Sequence, residues 1–144
     1  MNRRRNILFI SPADTASRMA EAIARRLAPP QVRVYSTSPA PRPVPAHAAK
    51  VMREVGLEIP DRGPRGAEAV PLAEIDLAIS LGEKPATLPG LSSRARLCHW
   101  PIPNPERASG GESAMQAVYR LLRDEIDRKV AALFLDYWRC PRRH

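Results

Sequence analysis

The stretch from Asn6 to Leu27, NILFISPADTASRMAEAIARRL, constrains this chain more than any other. Ile7, Leu8, Phe9 and Ile10 form a continuous apolar run of strand length, as expected of a strand buried on both faces. Ser11-Pro12 breaks the run. Ala20, Ile23, Ala24 and Leu27 then recur at helical spacing, with Arg25 and Arg26 on the opposite face. Asp14, Thr15 and Ser17 are each suited to cap the helix start. A strand that feeds a helix through a short loop places that loop at the carboxyl end of a sheet. The first amides of the helix point out of it, and anions are the usual guests.

The remaining chain must supply the rest of that sheet, and 144 residues are enough for one domain with a real core. After Pro29-Pro30, Val32 to Ser36 alternates as a second strand. Ser38 to Pro45 is proline-rich and reads as an extended loop. Ala48, Val51, Met52 and Val55 share one face of a helix that Gly56 ends. Residues 57–70 are irregular, and Leu72 to Ile75 is short enough for one helical turn. Asp76 to Leu81 and Ala95 to Trp100 read as third and fourth strands. Between them, Gly82 to Gly90 is a loop with room for a helical turn. Met115, Val118, Leu122, Ile126, Val130, Leu133 and Tyr137 step by three or four along a long last helix. Glu112 and Arg139 suit the two ends of its dipole. Strands alternating with helices predict a parallel sheet.

Composition narrows the function. The net charge of +8 is carried mostly by arginine, with Arg3, Arg4 and Arg5 at one end and Arg139, Arg142 and Arg143 at the other. No aromatic residues interleave with these charges as a stacking platform requires, so solubilising termini are preferred to a nucleic-acid surface. The sequence has no transmembrane or signal segment, and a cytoplasmic protein without membrane contact is expected. Cys98 and Cys140 are far apart and form neither a disulfide framework nor a metal site. Cys98 is expected in the core. His47 falls in the first turn of a helix, and His99 reads as a surface or hydrogen-bonded histidine. The three histidines have no metal-ligand spacing, and neither metal nor cofactor is expected.

Several pieces together resemble the low-molecular-weight protein tyrosine phosphatases and the related thioredoxin-coupled arsenate reductases. They are Ile7 to Ile10, Ser17 with Met19-Ala-Glu-Ala22, His47 to Gly56, Asp76 to Ser80, and His99-Trp-Pro-Ile-Pro-Asn-Pro105. The likeness runs over nearly the whole length. It implies one α/β domain, residues 1–144, with the flavodoxin-like phosphatase I fold. That fold has three layers: a four-stranded parallel sheet of order 2-1-3-4 and helices on both faces. The family's chemistry uses a cysteine at the end of the first strand, an arginine after five intervening residues, and an aspartate from a distant loop. A thiolate held among amides attacks, amides and guanidinium hold the equatorial oxygens, and the aspartic acid protonates the leaving group.

This sequence departs at each of these parts. Ser11 stands at the cysteine position, and no partner base is evident. Pro12 removes a backbone donor. Asp14 sets a negative charge where the family usually has asparagine. Aligned on Ser17, the arginine position falls at Ala16 and the loop is one residue short. Arg18, roughly 200° further around a helix, is expected to point away. Asn104 stands at the acid position and cannot donate a proton as an acid. The loop from Gly82 to Pro89 lacks the cysteines of a reductase relay.

No residue is therefore assigned a catalytic role. Ser11 and Asn104 are degenerate positions, and Ser11, Asp14, Thr15, Ser17 and Arg18 are the candidate anion or ligand contacts. The expected state of the loop is a capped connection, with Asp14 or Thr15 as the cap. The expected role is a pseudoenzyme that binds a protein or small-molecule partner, or a second copy of itself. The alternative is a divergent hydrolase using Ser11, Asp14 and Arg18. A third option is an acidic partner held by the terminal arginines, with steep salt dependence. Phe134, Tyr137 and Trp138 are expected either to complete the core or to form a dimer face.

Overall fold

The computed structural model describes residues 5–12, 14–40, 43–59, 70–105 and 108–135. Its elements run β1 (Arg5–Ile10), α1 (Thr15–Leu27), β2 (Val32–Thr37), α2 (Ala46–Arg53), a 3₁₀ turn (Leu72–Glu74), β3 (Leu77–Gly82), β4 (Arg96–Pro101) and α3 (Glu112–Leu135). The four strands form one parallel sheet of order β2-β1-β3-β4, as the resemblance implies. The chain leaves β1 for β2 on one side and crosses to β3 on the other. The crevice at the carboxyl ends of β1 and β3 is thus the topological switch point, where doubly wound folds bind ligands.

The alternation of side chains sorts β1 between two cores. Ile7 and Phe9 face α1, α2 and α3, where Met19, Ile23, Val51, Met52, Ile126 and Leu133 pack on them. Phe9 meets Trp100 of β4 with ring centroids 5.9 Å apart. Leu8 and Ile10 face a smaller cluster of Val70, Ile75, Ala78 and Leu88. Among the described residues, the cover on that second face is the 3₁₀ turn and loop segments.

Local signals behave as the chemistry dictates. Gly56 adopts φ +77° after α2, and Leu57 N–H returns to Met52 O at 3.0 Å, closing the helix end. Every residue of β3 is buried, the polar Ser80 included. The buried stripe of α3 is Gln116, Tyr119, Leu122, Ile126, Val130 and Leu133. Met115 and Val118 are only half-buried. Gln116 and Tyr119 take the inner positions because His47 of α2 meets both: its Nδ1 lies 3.0 Å from Gln116 Oε1, and its ring stacks on Tyr119.

Two expectations change. Gly82 to Gly90 contains no helical turn after β3 ends. Cys98 is buried as expected, but it is disulfide-bonded rather than a free thiol. The other cysteine, Cys140, lies outside the described residues, as do Tyr137, Trp138, Arg139, Arg142, Arg143, Arg3 and Arg4. His99 is hydrogen-bonded, its Nδ1 2.6 Å from Ser80 Oγ on the neighbouring strand. No described helix is long and apolar enough to cross a membrane.

Candidate functional site

Ser11 follows directly on β1 and is 2% exposed. Its Oγ accepts the Ser17 N–H at 3.0 Å and donates to Ser17 Oγ at 2.8 Å. Ser17 Oγ in turn faces the Asp14 main-chain oxygen at 3.1 Å and Asp14 Oδ1 at 3.4 Å. Ser11 therefore satisfies an orphan amide of the first turn of α1 from outside the helix. The expected cap is corrected by this arrangement. Asp14 holds the N-cap position, but its side chain accepts no capping bond, and Thr15 Oγ1 is buried without a hydrogen-bond partner. The reason lies in the backbone: Asp14 has φ +73°, the left-handed region, rather than the extended conformation of an ordinary cap. That conformation costs about 1–2 kcal/mol in a residue with a Cβ.

Arg18 does not point away. Its side chain is 6% exposed, and Nε lies 3.3 Å from Asp14 Oδ2, with Asp14 1% exposed. Helical side chains lean toward the amino terminus, so residue i+4 lies over residue i. Arg18 thus returns to the loop, where Asp14 meets its charge.

The opposite wall of the crevice comes from the ends of β3 and β4. Ser11, Pro12, Thr15, Ala16, Lys84 and Asn104 are among the residues lining a cleft of about 260 Å³ there. Leu81, Ile102, Pro103 and Pro105 make much of its wall apolar. Gly82 has φ +152°, and a Cβ there would come 3.3 Å from Pro12 Cδ, so a glycine at residue 82 suits both the backbone and the close approach of the two loops. Of the candidate positions, Ser11, Thr15 and Asn104 line the cleft, while Ser17 and the Asp14–Arg18 pair stand behind Ser11. Lys84 is a cleft residue absent from the sequence-based candidates; it belongs to the Gly82 to Pro89 loop, where no local motif marks it. No group of three His, Cys, Asp or Glu side chains among the described residues is placed to hold a metal.

The chemistry of this arrangement is restricted. Both hydrogen bonds of Ser11 Oγ go to Ser17, and neither is made by a histidine, lysine or carboxylate. A hydroxyl so placed is not ionised near neutral pH. Asn104 offers an amide where proton donation to a leaving group needs an acid. The amide end of α1 remains suited to an oxyanion, while the Thr15 hydroxyl is buried.

Known proteins share the fold of this chain. Arsenate reductase of Halalkalibacterium halodurans is 29% identical over 115 residues, covering 79% of this chain and 83% of that protein. The crystal structure of arsenate reductase from Archaeoglobus fulgidus superposes with a TM-score of 0.72 at 25% identity, covering 89% of this chain and 98% of the other. The YwlE arginine phosphatase, as a cysteine-to-serine mutant with a phosphorylated active-site serine, superposes with a TM-score of 0.67 at 20% identity over 91% and 94% of the two chains. The family model described as low molecular weight phosphotyrosine protein phosphatase matches residues 6–137, and the chain belongs to that family.

Proposed function

We propose that this protein uses the phosphatase fold to bind an oxyanion or a phosphorylated partner in the Ser11 cleft without turning it over. One observation carries the reading: Ser11 Oγ is tied to Ser17 on both sides, with no base touching it. Asn104 across the cleft carries an amide, which cannot donate a proton as an acid would. The Asp14 carboxylate already meets the Arg18 guanidinium, which weakens the cleft's pull on a dianion. Titration calorimetry with phosphate, sulfate and arsenate tests the binding half, and weak but measurable heats that shrink with added salt are expected. Hydrolysis of an aryl phosphate that disappears in Ser11→Ala would refute the non-turnover half.

A second reading has its own support. Ser11, Ser17 and Asp14 form a hydrogen-bonded series that ends on a carboxylate. In the YwlE mutant, a serine in the active site carries a phosphoryl group. Ser11 would then be a phosphoryl acceptor that forms a long-lived phosphoserine, again without rapid turnover. Intact-mass measurement after incubation with acetyl phosphate separates the two readings: a stable adduct absent from Ser11→Ala supports the acceptor, and an unmodified chain supports simple binding.

A further inference from the structure

The outer face of α3 carries a pattern that the fold of one chain does not use. The helix packs on α1 and α2 through its buried stripe. On the opposite side Ala117, Leu121, Asp124, Arg128, Ala131 and Leu135 are all exposed. They step alternately by four and three residues, the spacing that keeps one seam of a helix facing a partner helix. At about 100° per residue, all six lie within about 40° of the line opposite Ile126, which is fully buried. Leu121 and Leu135 are large and apolar, yet 72% and 81% exposed. One exposed leucine is ordinary; two on one seam, with alanines between the charges and the ends, mark a contact surface. Phe134 packs against the core and is no part of this face.

The order of the six residues decides which partner fits. A parallel second copy in register would set Arg128 on Arg128 and Asp124 on Asp124, and both layers would repel. An antiparallel copy, related by a two-fold axis at the level of Ile126, sets Asp124 against the partner's Arg128 and Arg128 against the partner's Asp124. The same axis sets Leu121 on the partner's Ala131 and Leu135 on the partner's Ala117, a large side chain on a small one in each apolar layer. Asp124 and Arg128 are held by Arg123 and Glu125 of their own helix, but at 53% and 69% exposure both are free to turn outward. We propose that the chain forms an antiparallel two-fold dimer through this face of α3. The face complements itself only under that symmetry, as the same patch on both subunits must. Glu125 and Asp127 flank the axis in both copies and oppose association, and one pair of helices is a small interface, so the dimer is weak. The proposal does not rest on what the Ser11 cleft binds.

The test is sedimentation velocity of the whole chain at loading concentrations from about 10 μM to 1 mM, where a weak dimer fills. The chain is expected to pass from monomer toward dimer across that range. L121E/L135E alters only exposed side chains, so it is expected to keep its melting temperature and to raise the dimer dissociation constant by about tenfold or more. D124R sets arginine on arginine at both cross-pairs and is expected to do the same. D124R/R128D restores both pairs with their signs exchanged and is expected to return to within about threefold of the original chain. A chain that stays monomeric throughout would overturn the proposal and leave the face to another occupant, residues 136–144 or an unlike protein. A dimer that L121E/L135E does not weaken would lie on a different face. A D124R/R128D dimer no tighter than that of D124R would rule out this register. Either of these results refutes the proposal.

Discussion

Asp14 and Arg18 are the two side chains on which the Ser11 loop depends most. Both are buried, and each neutralises the other. Removing one partner of such a pair strands a buried charge, at a cost of about 3–5 kcal/mol. Asp14→Ala and Arg18→Ala are each expected to lower the urea midpoint by an amount in that range, and the double variant to lose less than the sum. Asp14→Asn tests function instead: asparagine tolerates the φ of +73° and removes only the charge. Arg18 then loses the carboxylate that faces it, so phosphate affinity measured by calorimetry should rise. An unchanged or weaker affinity would show that Arg18 does not act on the cleft. Ser11→Cys places a thiol against the Ser17 amide and the start of α1, which favours the thiolate. Alkylation by iodoacetamide should then titrate below the ordinary thiol range, while aryl phosphate turnover stays at background until Asn104→Asp is added. The positions of Ser11 and Asn104 were legible in the sequence because strand ends and proline-flanked loops are local features. The turn of Arg18 toward the loop was not, because counting degrees around a helix places Cα atoms and ignores the backward lean of long side chains.

Helix α2 is short, and its far end is held to α3 by a charge cluster. Arg120 meets Glu54 through Nε at 2.9 Å and Nη2 at 2.7 Å, and Arg123 reaches Glu54 Oε1 at 2.9 Å. Arg123 also donates to Val51 O of α2 at 2.9 Å. The Arg120 guanidinium, seconded by Arg123 and opposed by partial burial, holds the Glu54 carboxyl down from 4.5 to about 2. A carboxyl that binds its proton less readily when folded stabilises the fold at pH values above its unfolded pKa. The contribution is therefore complete above about pH 4.5 and is lost as pH falls toward 2. Glu54→Gln should flatten acid unfolding in that window, followed by circular dichroism, and lower the neutral-pH midpoint by a correspondingly small amount, small because the cluster is partly exposed. Such cross-helix pairs were not legible beforehand: Glu54 and Arg120 are distant in sequence, and only the fold sets them side by side. The elements themselves were legible. The apolar runs of β1 and β3 needed no partner to be recognised, and the stripe of α3 missed only where His47 draws Gln116 and Tyr119 inward.

The sheet as a whole has two unlike faces, and the Ser11 cleft borrows walls from both. Ser11, Thr15 and Ala16 are anchored to the large core beneath the helices, which contains Ile126 and Phe9 at no measurable exposure. Glu83 and Lys84 belong to the loop that continues to Leu88, whose own support is the smaller cluster of Leu8, Ile10, Val70, Ile75 and Ala78. The hydrogen bonds that tie the end of this loop are long, with Leu91 N–H to Leu88 O and Ser92 N–H to Leu72 O both at 3.4 Å. Local opening follows from few apolar contacts and weak backbone bonds, so this wall should move while the helix wall stays fixed. Ile126→Ala is expected to cost about 2–5 kcal/mol of global stability, as deletion of a fully buried branched chain does. Leu88→Ala should cost less, because a loop can close over the space it leaves. Amide hydrogen exchange gives the sharper contrast. Leu91 and Ser92 should exchange far faster than Phe9 or Ile126, and addition of an anion that draws Lys84 toward the start of α1 should slow the loop without altering the core. Equal protection of both walls in the free protein would mean that the cleft is rigid. A ligand would then have to fit the 260 Å³ already present rather than draw Lys84 toward it.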